Sequence, residues 1–443
     1  MKARFLLISL ALATAIYAQD NTKSSFSLIE AQAYAIEHHL NIQNAKLEWE
    51  ESKKRVQETT AIGLPQINAS ADYKYYTEIP ITAVDATVFD PTAPAGETVA
   101  LEFGVNNNGL LNLTANQLLF DGTFIVGLQA ASTYKQLKEQ GIRLTEIQVK
   151  NLVAKSYYNV LIAESTSKIY AENVEKLETQ LSEMEEMFKV GLMEEIEVDQ
   201  LSLILSDAIK RKQTIDRQIA VSYQLLNFQM GREIDANLEL TDDLKSIYNS
   251  YDESALLSSE LTVDRHIDFQ MLETQEKLQM LLIRKDQASR LPTIGAAYSL
   301  GYNSFVSPLE NNLWYRNQYI GVNISMPIFT STMNSSKVQQ GKIALDRIKN
   351  NKSILEDNLK IEIAVARAKY IDALDQFKTE EKNLLLSQKI FDITRTKQKN
   401  GLASSLEVTV SNNQYLEVQG RYIQALYSIL DAKASLDKAL NNY

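Results

Sequence analysis

The sequence predicts an α+β protein in which a helix–strand–strand–helix–helix unit occurs twice, with long coiled-coil helices and four short strands. Three observations carry this prediction: the placement of turn-forming residues, an internal repeat, and two kinds of apolar periodicity. The chain of 443 residues has only 15 glycines and 7 prolines. No proline occurs between Ala95 and Leu291 or after Pro327. Since proline breaks helix interiors, both stretches are free to form long helices.

Short motifs recur in the same order along the chain, which indicates an internal duplication. Residues 64–67 match residues 291–294 at an offset of 227, and both segments begin with Leu-Pro. Residues 189–192 match 399–402 at an offset of 210. Residues 119–120 match 328–329 at an offset of 209, so the first copy has the longer insertion between its two strands. The length alone would suggest several domains, but a duplication predicts one architecture with pseudo-twofold symmetry.

The repeat sets the predicted boundaries. The first copy covers 19–232, a polar linker covers 233–252, and the second copy covers 253–443. Predicted strands in the first copy are about 66–76 and 109–119, and predicted helices are about 28–61, 123–189 and 194–230. In the second copy the strands are about 293–303 and 317–328, and the helices are about 253–289, 331–399 and 404–441.

The predicted helices carry apolar residues at alternating steps of three and four, which is typical of a coiled-coil seam. One such run is Val174, Leu177, Leu181, Met184 and Phe188; others are Val198, Leu201, Leu205 and Ala208, and Tyr415, Val418, Tyr422, Ala425, Ile429, Ala432 and Leu436. A helix of 67 residues is about 100 Å long at 1.5 Å per residue, so the coiled coil exceeds the size of a compact domain.

The N-terminus has the three parts of a secretory signal peptide. Lys2 and Arg4 precede an apolar run at 5–15, and Ala18 supplies a small residue for cleavage before Gln19. The apolar run is shorter than the roughly 20 residues that a membrane-spanning helix needs. We therefore expect residues 1–18 to be a signal peptide and the mature protein to be exported.

Four segments of about ten residues alternate between apolar and polar side chains, which predicts strands. The apolar sets are Ile67, Ala69, Ala71, Tyr73 and Tyr75; Leu111, Leu113 and Ala115; Ile294, Ala296, Tyr298, Leu300 and Tyr302; and Ile320, Val322, Ile324 and Met326. The length fits a transmembrane strand, although a soluble sheet with one wet face would alternate in the same way. Four strands do not close, since the smallest membrane barrels have eight. Two chains would give 8 strands and three would give 12.

Aromatic residues occur where these strands meet the intervening loops, as expected for a membrane-interface girdle. They are Tyr75, Tyr76, Tyr302, Phe305, Trp314 and Tyr315.

The composition excludes several classes of function. The chain has no cysteine, so it has no disulfide framework, Cys-based zinc site or thiol nucleophile. A net charge of −11 argues against nucleic acid as the main partner. No nucleotide fingerprint or serine-nucleophile motif is present, and no catalytic residue, cofactor or metal site is predicted. The three histidines lack partners at ligand spacing, so His38, His39 and His266 are interpreted as structural.

The duplicated unit, the paired Leu-Pro strand starts and the signal peptide together resemble the TolC family of outer-membrane efflux proteins. The resemblance implies a homotrimer whose 12-stranded β-barrel lies in the Gram-negative outer membrane and whose helical barrel lies in the periplasm. It implies a passive exit duct for a tripartite efflux pump or type I secretion, working with a periplasmic adaptor and an RND, ABC or MFS transporter. The alternatives are a soluble periplasmic coiled-coil scaffold or adaptor, and an enzyme built in a helical bundle.

The resemblance also implies site residues. The adaptor-docking tips would be Val190, Gly191, Leu192, Asn400, Gly401 and Leu402, and the periplasmic gate would be Glu197 and Glu407. The second tip departs from the family's Val-Gly-Leu form at Asn400. Gln398 and Ala403 replace a tyrosine and an arginine that latch some members, and Val410 replaces a further acidic residue.

Two further sets of polar residues have less specific interpretations. Glu194 and Glu195 are interpreted as charges that complement a helix N-terminus. Asn412, Asn413, Gln339 and Gln340 are expected to line a wet lumen.

Overall fold

The computed structural model describes residues 24–102, 104–251, 253, 262–304 and 314–442. The predicted signal peptide 1–18 and the girdle residue Phe305 lie outside the described residues. Two compact units are present. The first comprises the chain up to Trp49, Lys138–Leu272 and Asn351–Tyr443, and the second comprises Glu50–Leu137 and Glu273–Asn350.

Helices account for most of the described chain. They are α1 Leu28–His38, α2 Leu40–Ile62, α3 Gly122–Lys189, α4 Glu195–Met230, α5 Leu244–Asn249, α6 Ile267–Ala288, α7 Met333–Lys399 and α8 Ser405–Ala439. With 68 residues in α3 and 67 in α7, each of these two is about 100 Å long at 1.5 Å per residue. Within the described residues, no helix combines the length and the hydropathy needed to cross a membrane.

The strands are β1 Ser25–Phe26, β2 Gln66–Tyr75, β3 Ile81–Asp85, β4 Thr98–Glu102, β5 Asn107–Phe120, β6 Glu239–Leu240, β7 Thr293–Ser304 and β8 Trp314–Ser325. The α+β class is therefore confirmed. The second unit contains a four-stranded antiparallel sheet in the order β2-β5-β7-β8. The last of these strands begins at Trp314, three residues before the point at which its alternation predicted a start.

The pairing register gathers the apolar side chains of the four strands on one face of this sheet. Ala69 lies opposite Leu113, which lies opposite Leu300. Tyr298 lies opposite Ile320 on the same face. Since directly paired residues share a face, the four apolar sets form one continuous surface. The other face is mainly polar, and there Ser299 Oγ donates to Asn112 Oδ1 at 2.9 Å.

The helices predicted at about 28–61 and 253–289 are each interrupted at one histidine, so the prediction of continuous helices is wrong there. The chain becomes extended at His39 (φ −67°, ψ 127°), where α1 ends and α2 begins. His266 is extended in the same way (φ −69°, ψ 132°), and α6 begins one residue later. At each break the imidazole Nδ1 accepts a backbone N–H, from Asn41 at 3.1 Å and from Asp268 at 3.3 Å. Both histidines therefore cap the following helix, which their side chains can do only if the chain leaves helical geometry.

Each break lies beside a left-handed residue that ends another helix. Gly231 (φ 77°) ends α4 against His38, where an added Cβ would lie 2.7 Å from the His38 carbonyl oxygen. Its repeat counterpart Asn441 (φ 59°) donates from Nδ2 to the Arg265 carbonyl at 3.4 Å. The duplication therefore conserves the contact between break and helix end, with glycine in one copy and asparagine in the other.

The helical seams predicted from heptad spacing form the cores of the first unit. Leu177, Met184, Leu201 and Ala208 are buried together between α3 and α4. A larger core gathers Tyr157 of α3, Ala31 of α1, Leu226 of α4 and Ile429 of α8. Phe188, the last residue of the predicted α3 seam, is exposed, since the seam ends one turn before the helix does.

Two segments predicted as loop or linker contain further structure. Between β2 and β5, strands β3 and β4 form an antiparallel hairpin. In the linker, β6 pairs in parallel with β1, and α5 begins with a capping box made by Asp243 and Ser246. The linker elements β6 and α5 are only two and six residues long. They are too short for apolar periodicity to reveal them.

Candidate functional site

The two predicted docking tips adopt the same turn, which ends α3 and α7. The N–H of Leu192 donates to the Met187 carbonyl and the N–H of Gly191 donates to the Phe188 carbonyl, both at 2.9 Å. Leu402 and Gly401 make the equivalent bonds to Lys397 and Gln398, also at 2.9 Å. This is the Schellman pattern, which satisfies the last carbonyls of a helix.

Each turn depends on a glycine and exposes a leucine. Gly191 has φ 76° and Gly401 has φ 72°, a left-handed conformation in which a Cβ is strained. Neither glycine has an atom within 4 Å of an added Cβ, so backbone conformation and not crowding requires glycine. The following Leu192 and Leu402 are 78% and 76% exposed. In many Schellman turns this residue packs back on its own helix, whereas here both leucines face outward.

The tips differ where the second helix of each hairpin begins. Ser404 forms a capping box with Glu407: the Glu407 N–H donates to Ser404 Oγ and the Ser404 N–H donates to Glu407 Oε2, both at 3.2 Å. At the other tip the N-cap is Glu194, whose side chain makes no capping bond. The Glu407 carboxylate therefore stabilises a helix end, whereas the Glu197 carboxylate takes no part in a capping box.

The two predicted gate residues have different surroundings. Glu197 is half-buried and lines a small cavity that it shares with Leu201 of α4 and with Ser405 and Leu406 of α8. Glu407 is exposed. The structure thus places Glu197 between the two hairpins and Glu407 on the surface of the second, and the two carboxylates share no hydrogen-bond partner among the contacts of the described residues.

Gln398, where the resemblance leads one to expect a tyrosine, acts within its own hairpin. Gln398 Nε2 donates to Ser405 Oγ at 3.2 Å, joining the end of α7 to the start of α8. Ala403, at the arginine position, offers no polar side-chain atom.

A buried amide pair joins α3 to α8, and sequence reasoning missed it. Asn412 Nδ2 donates to Asn173 Oδ1 at 2.9 Å, and both side chains are buried. The expectation that Asn412 lines a lumen is therefore wrong. Asn413, Gln339 and Gln340 are exposed. The one available signal was that Asn412 follows Val408 by four residues on the buried face of α8.

The electrostatics of the capping histidines follow from their burial. Desolvation lowers the pKa of His39. Burial also lowers the pKa of His266, against a smaller opposing effect of Asp268 and Glu362. A neutral imidazole leaves Nδ1 free to accept the backbone N–H, so burial and capping favour the same protonation state. Among the described residues, no group of His, Asp and Glu has the arrangement of a metal site.

Comparison with known proteins decides between the export channel and the soluble scaffold. The model of the family described as outer membrane efflux protein matches residues 33–232 and 260–442. The chain belongs to the outer membrane efflux protein family. Its predicted function as an outer-membrane efflux channel is confirmed, as is its location in the Gram-negative outer membrane with the helical part in the periplasm. The scaffold alternative is not supported.

Solved structures share the fold of this outer membrane efflux protein over nearly its whole length. VceC from Vibrio cholerae is 16% identical, with a TM-score of 0.71 over 93% of this chain and 95% of that one. CmeC from Campylobacter jejuni is 16% identical, with a TM-score of 0.70 over 96% and 90%. The open state of MtrE from Neisseria gonorrhoeae is 16% identical, with a TM-score of 0.73 over 93% and 88%. No curated protein matches the chain.

Channels of this family are trimers that work with adaptor proteins and inner-membrane transporters, and they are not enzymes.

Proposed function

We propose that three copies of this outer membrane efflux protein close one 12-stranded barrel and act as a passive exit duct. The supporting observation is the open four-stranded sheet, which has a continuous apolar face and whose edge strands β2 and β8 each pair with only one strand among the described residues. Unpaired sheet edges are too costly in lipid, so spanning strands must close into a barrel. Eight strands from two chains leave an interior that side chains fill, whereas 12 strands leave room for cargo.

The energy for transport comes from partners in this proposal. The chain carries no nucleotide-binding fingerprint, and the duct receives cargo from an inner-membrane transporter of the RND, ABC or MFS type through a periplasmic adaptor. Small molecules or polypeptides pass outward through the shared lumen.

In the proposal, the adaptor docks on the two tips, Val190–Leu192 and Asn400–Leu402. Support comes from the matching Schellman turns and from the two outward leucines, which offer apolar area that the described residues leave exposed. Removal of apolar area from water is favourable by roughly 25 cal/mol per Å², although the costs of association offset part of this gain.

Photo-crosslinking from positions 192 and 402 in living cells tests this docking. We expect adducts that contain a periplasmic adaptor, and we expect Leu192→Asp with Leu402→Asp to reduce pump-dependent export at least tenfold. Leu192→Met with Leu402→Met is the matched control and should leave export unchanged. Full export by the aspartate variant would contradict docking at the tips.

Glu197 and Glu407 form the gate in this proposal, since rings of carboxylates favour cations. Three copies would place three of each residue around the entrance. Because Glu407 also holds a capping box, we expect Glu197 to contribute more to selectivity than Glu407 does.

Bilayer recordings of the purified protein test both the pore and the gate. The unmodified protein should form cation-selective pores, and Glu197→Ala with Glu407→Ala should lower the cation-to-anion permeability ratio. Glu194→Ala with Glu195→Ala removes the same number of charges, both from the first tip, and should have a smaller effect. Unchanged conductance and selectivity in the first variant would show that these residues do not form the gate.

A further inference from the structure

The duplication relates the strand pairs of this sheet residue by residue. Ile67 lies opposite Ala115 in the β2–β5 pair. Moving these residues by the repeat offsets of 227 and 209 gives Ile294 and Ile324, which are opposite each other in the β7–β8 pair. Each pair of residues that lie opposite each other on neighbouring strands is called a rung. The same operation converts all ten rungs of β2–β5 into observed rungs of β7–β8. The offsets therefore carry register from one copy to the other without a slip.

The remaining pair of the sheet, β5–β7, has no repeat counterpart among the described residues. Under the same offsets β5 corresponds to β8, and β7 corresponds to β2. The counterparts β8 and β2 are the two edge strands of the sheet. Every residue of β2 is exposed, and β8 is exposed at all but two positions. The partner that would complete the pattern is a second copy of this chain.

We propose that β8 of one copy pairs with β2 of the next in the register that the repeat transfers from β5–β7. In that register Val322 lies opposite the partner subunit's Tyr73, because their counterparts Leu113 and Leu300 are paired within the chain. The flanking rungs place Ile320 opposite the partner subunit's Tyr75 and Ile324 opposite the partner subunit's Ala71. The inference rests on the proposed trimer and specifies its interface.

The faces of the sheet support this register independently. Its rungs join apolar residues to apolar residues, so the apolar surface continues across the interface. A slip of one residue would put Val322 opposite the partner subunit's Asp72 or the partner subunit's Lys74, and would move the whole apolar set of one strand to the polar face.

A glycine rung gives a second check. The register sets Gly321 opposite the partner subunit's Lys74, and the corresponding rung within the chain pairs Asn112 with Gly301. A Cβ at Gly321 would meet only the Tyr319 ring, at 3.8 Å and beyond. In both rungs a glycine faces a longer polar side chain, which leaves room for the long lysine.

The segment that follows β8 supplies a third check, at Phe329, four residues beyond the last strand residue Ser325. Phe120 lies opposite Ile294 after a β-bulge and is 36% exposed. Its counterpart Phe329 is 84% exposed. The transferred register sets Phe329 opposite the partner subunit's Ile67, a position that is itself 70% exposed in the single chain. Two isolated apolar side chains thereby cover each other.

Cysteine pairs test the register, and the native chain has no cysteine to interfere. Val322→Cys with Tyr73→Cys probes the apolar face, and Asn323→Cys with Asp72→Cys probes the polar face. Both are needed because neighbouring antiparallel rungs alternate between close and wider spacing. After mild oxidation of the detergent-extracted protein, we expect covalent dimers and trimers on a non-reducing gel, and their loss on reduction.

Matched controls separate the register from the trimer. Leu113→Cys with Leu300→Cys is the repeat counterpart of the first pair and should cross-link within one chain, without a gain in mass. Val322→Cys with Ala71→Cys, and Val322→Cys with Tyr75→Cys, represent slips of two residues and should cross-link at least tenfold less. A stronger product from a slipped pair, or a trimer by native mass with no cross-link in any pair, would overturn the register alone. A single-chain mass would overturn the proposed trimer as well.

Discussion

His39 and His266 perform the same task in the two copies of the repeat. Each is buried, each caps a helix through Nδ1, and each lies beside a left-handed residue at the end of another helix. Helix starts are usually capped by Ser, Thr, Asp or Asn. A histidine in this role must stay neutral, because a protonated Nδ1 cannot accept a hydrogen bond.

We therefore expect stability to fall as the pH drops below about 6.5, the ordinary pKa of histidine. The pKa of both groups is lowered in the folded state, so the unfolded chain binds protons more readily and stability rises with pH across this window. The stabilisation is complete above about 6.5 and is lost as the pH falls towards the folded-state pKa.

The measurement is the thermal unfolding midpoint of the helical circular dichroism signal between pH 7.5 and 5. His39→Asn with His266→Asn keeps a capping side chain and removes the titration, so its midpoint should depend less on pH. His38→Asn is the control, since His38 bonds the Tyr34 carbonyl and caps no helix. Identical pH profiles for the native protein and the double variant would show that the caps do not titrate.

At the scale of elements, α3 and α8 are joined by the amide pair Asn173–Asn412. Removing one partner leaves the other buried and unsatisfied, at a cost of about 1–3 kcal/mol, whereas replacing both by apolar groups is nearly neutral. We expect Asn173→Leu to lower the unfolding midpoint and Asn173→Leu with Asn412→Leu to recover most of the loss.

A double-mutant cycle on the helical unfolding transition measures this coupling. Asn413→Leu, one residue away and exposed, is the control and should change the midpoint little. If the two substitutions at 173 and 412 simply add, the helices are not coupled through this pair.

Sequence predicted the long elements of this fold well because their signals are periodic. Heptad spacing located α3, α4 and α8, and alternation located the four paired strands. The breaks at His39 and His266 escaped, because a histidine cap is rare among helix starts. The direction of Asn412 was missed because its spacing of four residues from Val408 is its one local signal, and its partner Asn173 lies on another helix. The tip turns were locatable from Gly191 and Gly401, but the contrast between Glu197 and Glu407 depends on contacts between hairpins.

At the scale of the whole molecule, the single chain is incomplete. Its four-stranded sheet has an apolar face and two edges that pair with no other strand among the described residues. Apolar side chains such as Phe329, which is 84% exposed, lie open beside it. Four strands cannot close a membrane barrel, since at least eight are needed. The account therefore depends on self-association, with the edge strands of one copy completed by those of its neighbours.

The most direct test of the account is the native mass of the protein extracted from outer membranes in mild detergent. The account predicts a particle of three chains, extracted only with detergent. A single-chain particle, or recovery of the protein in the soluble periplasmic fraction, would contradict it.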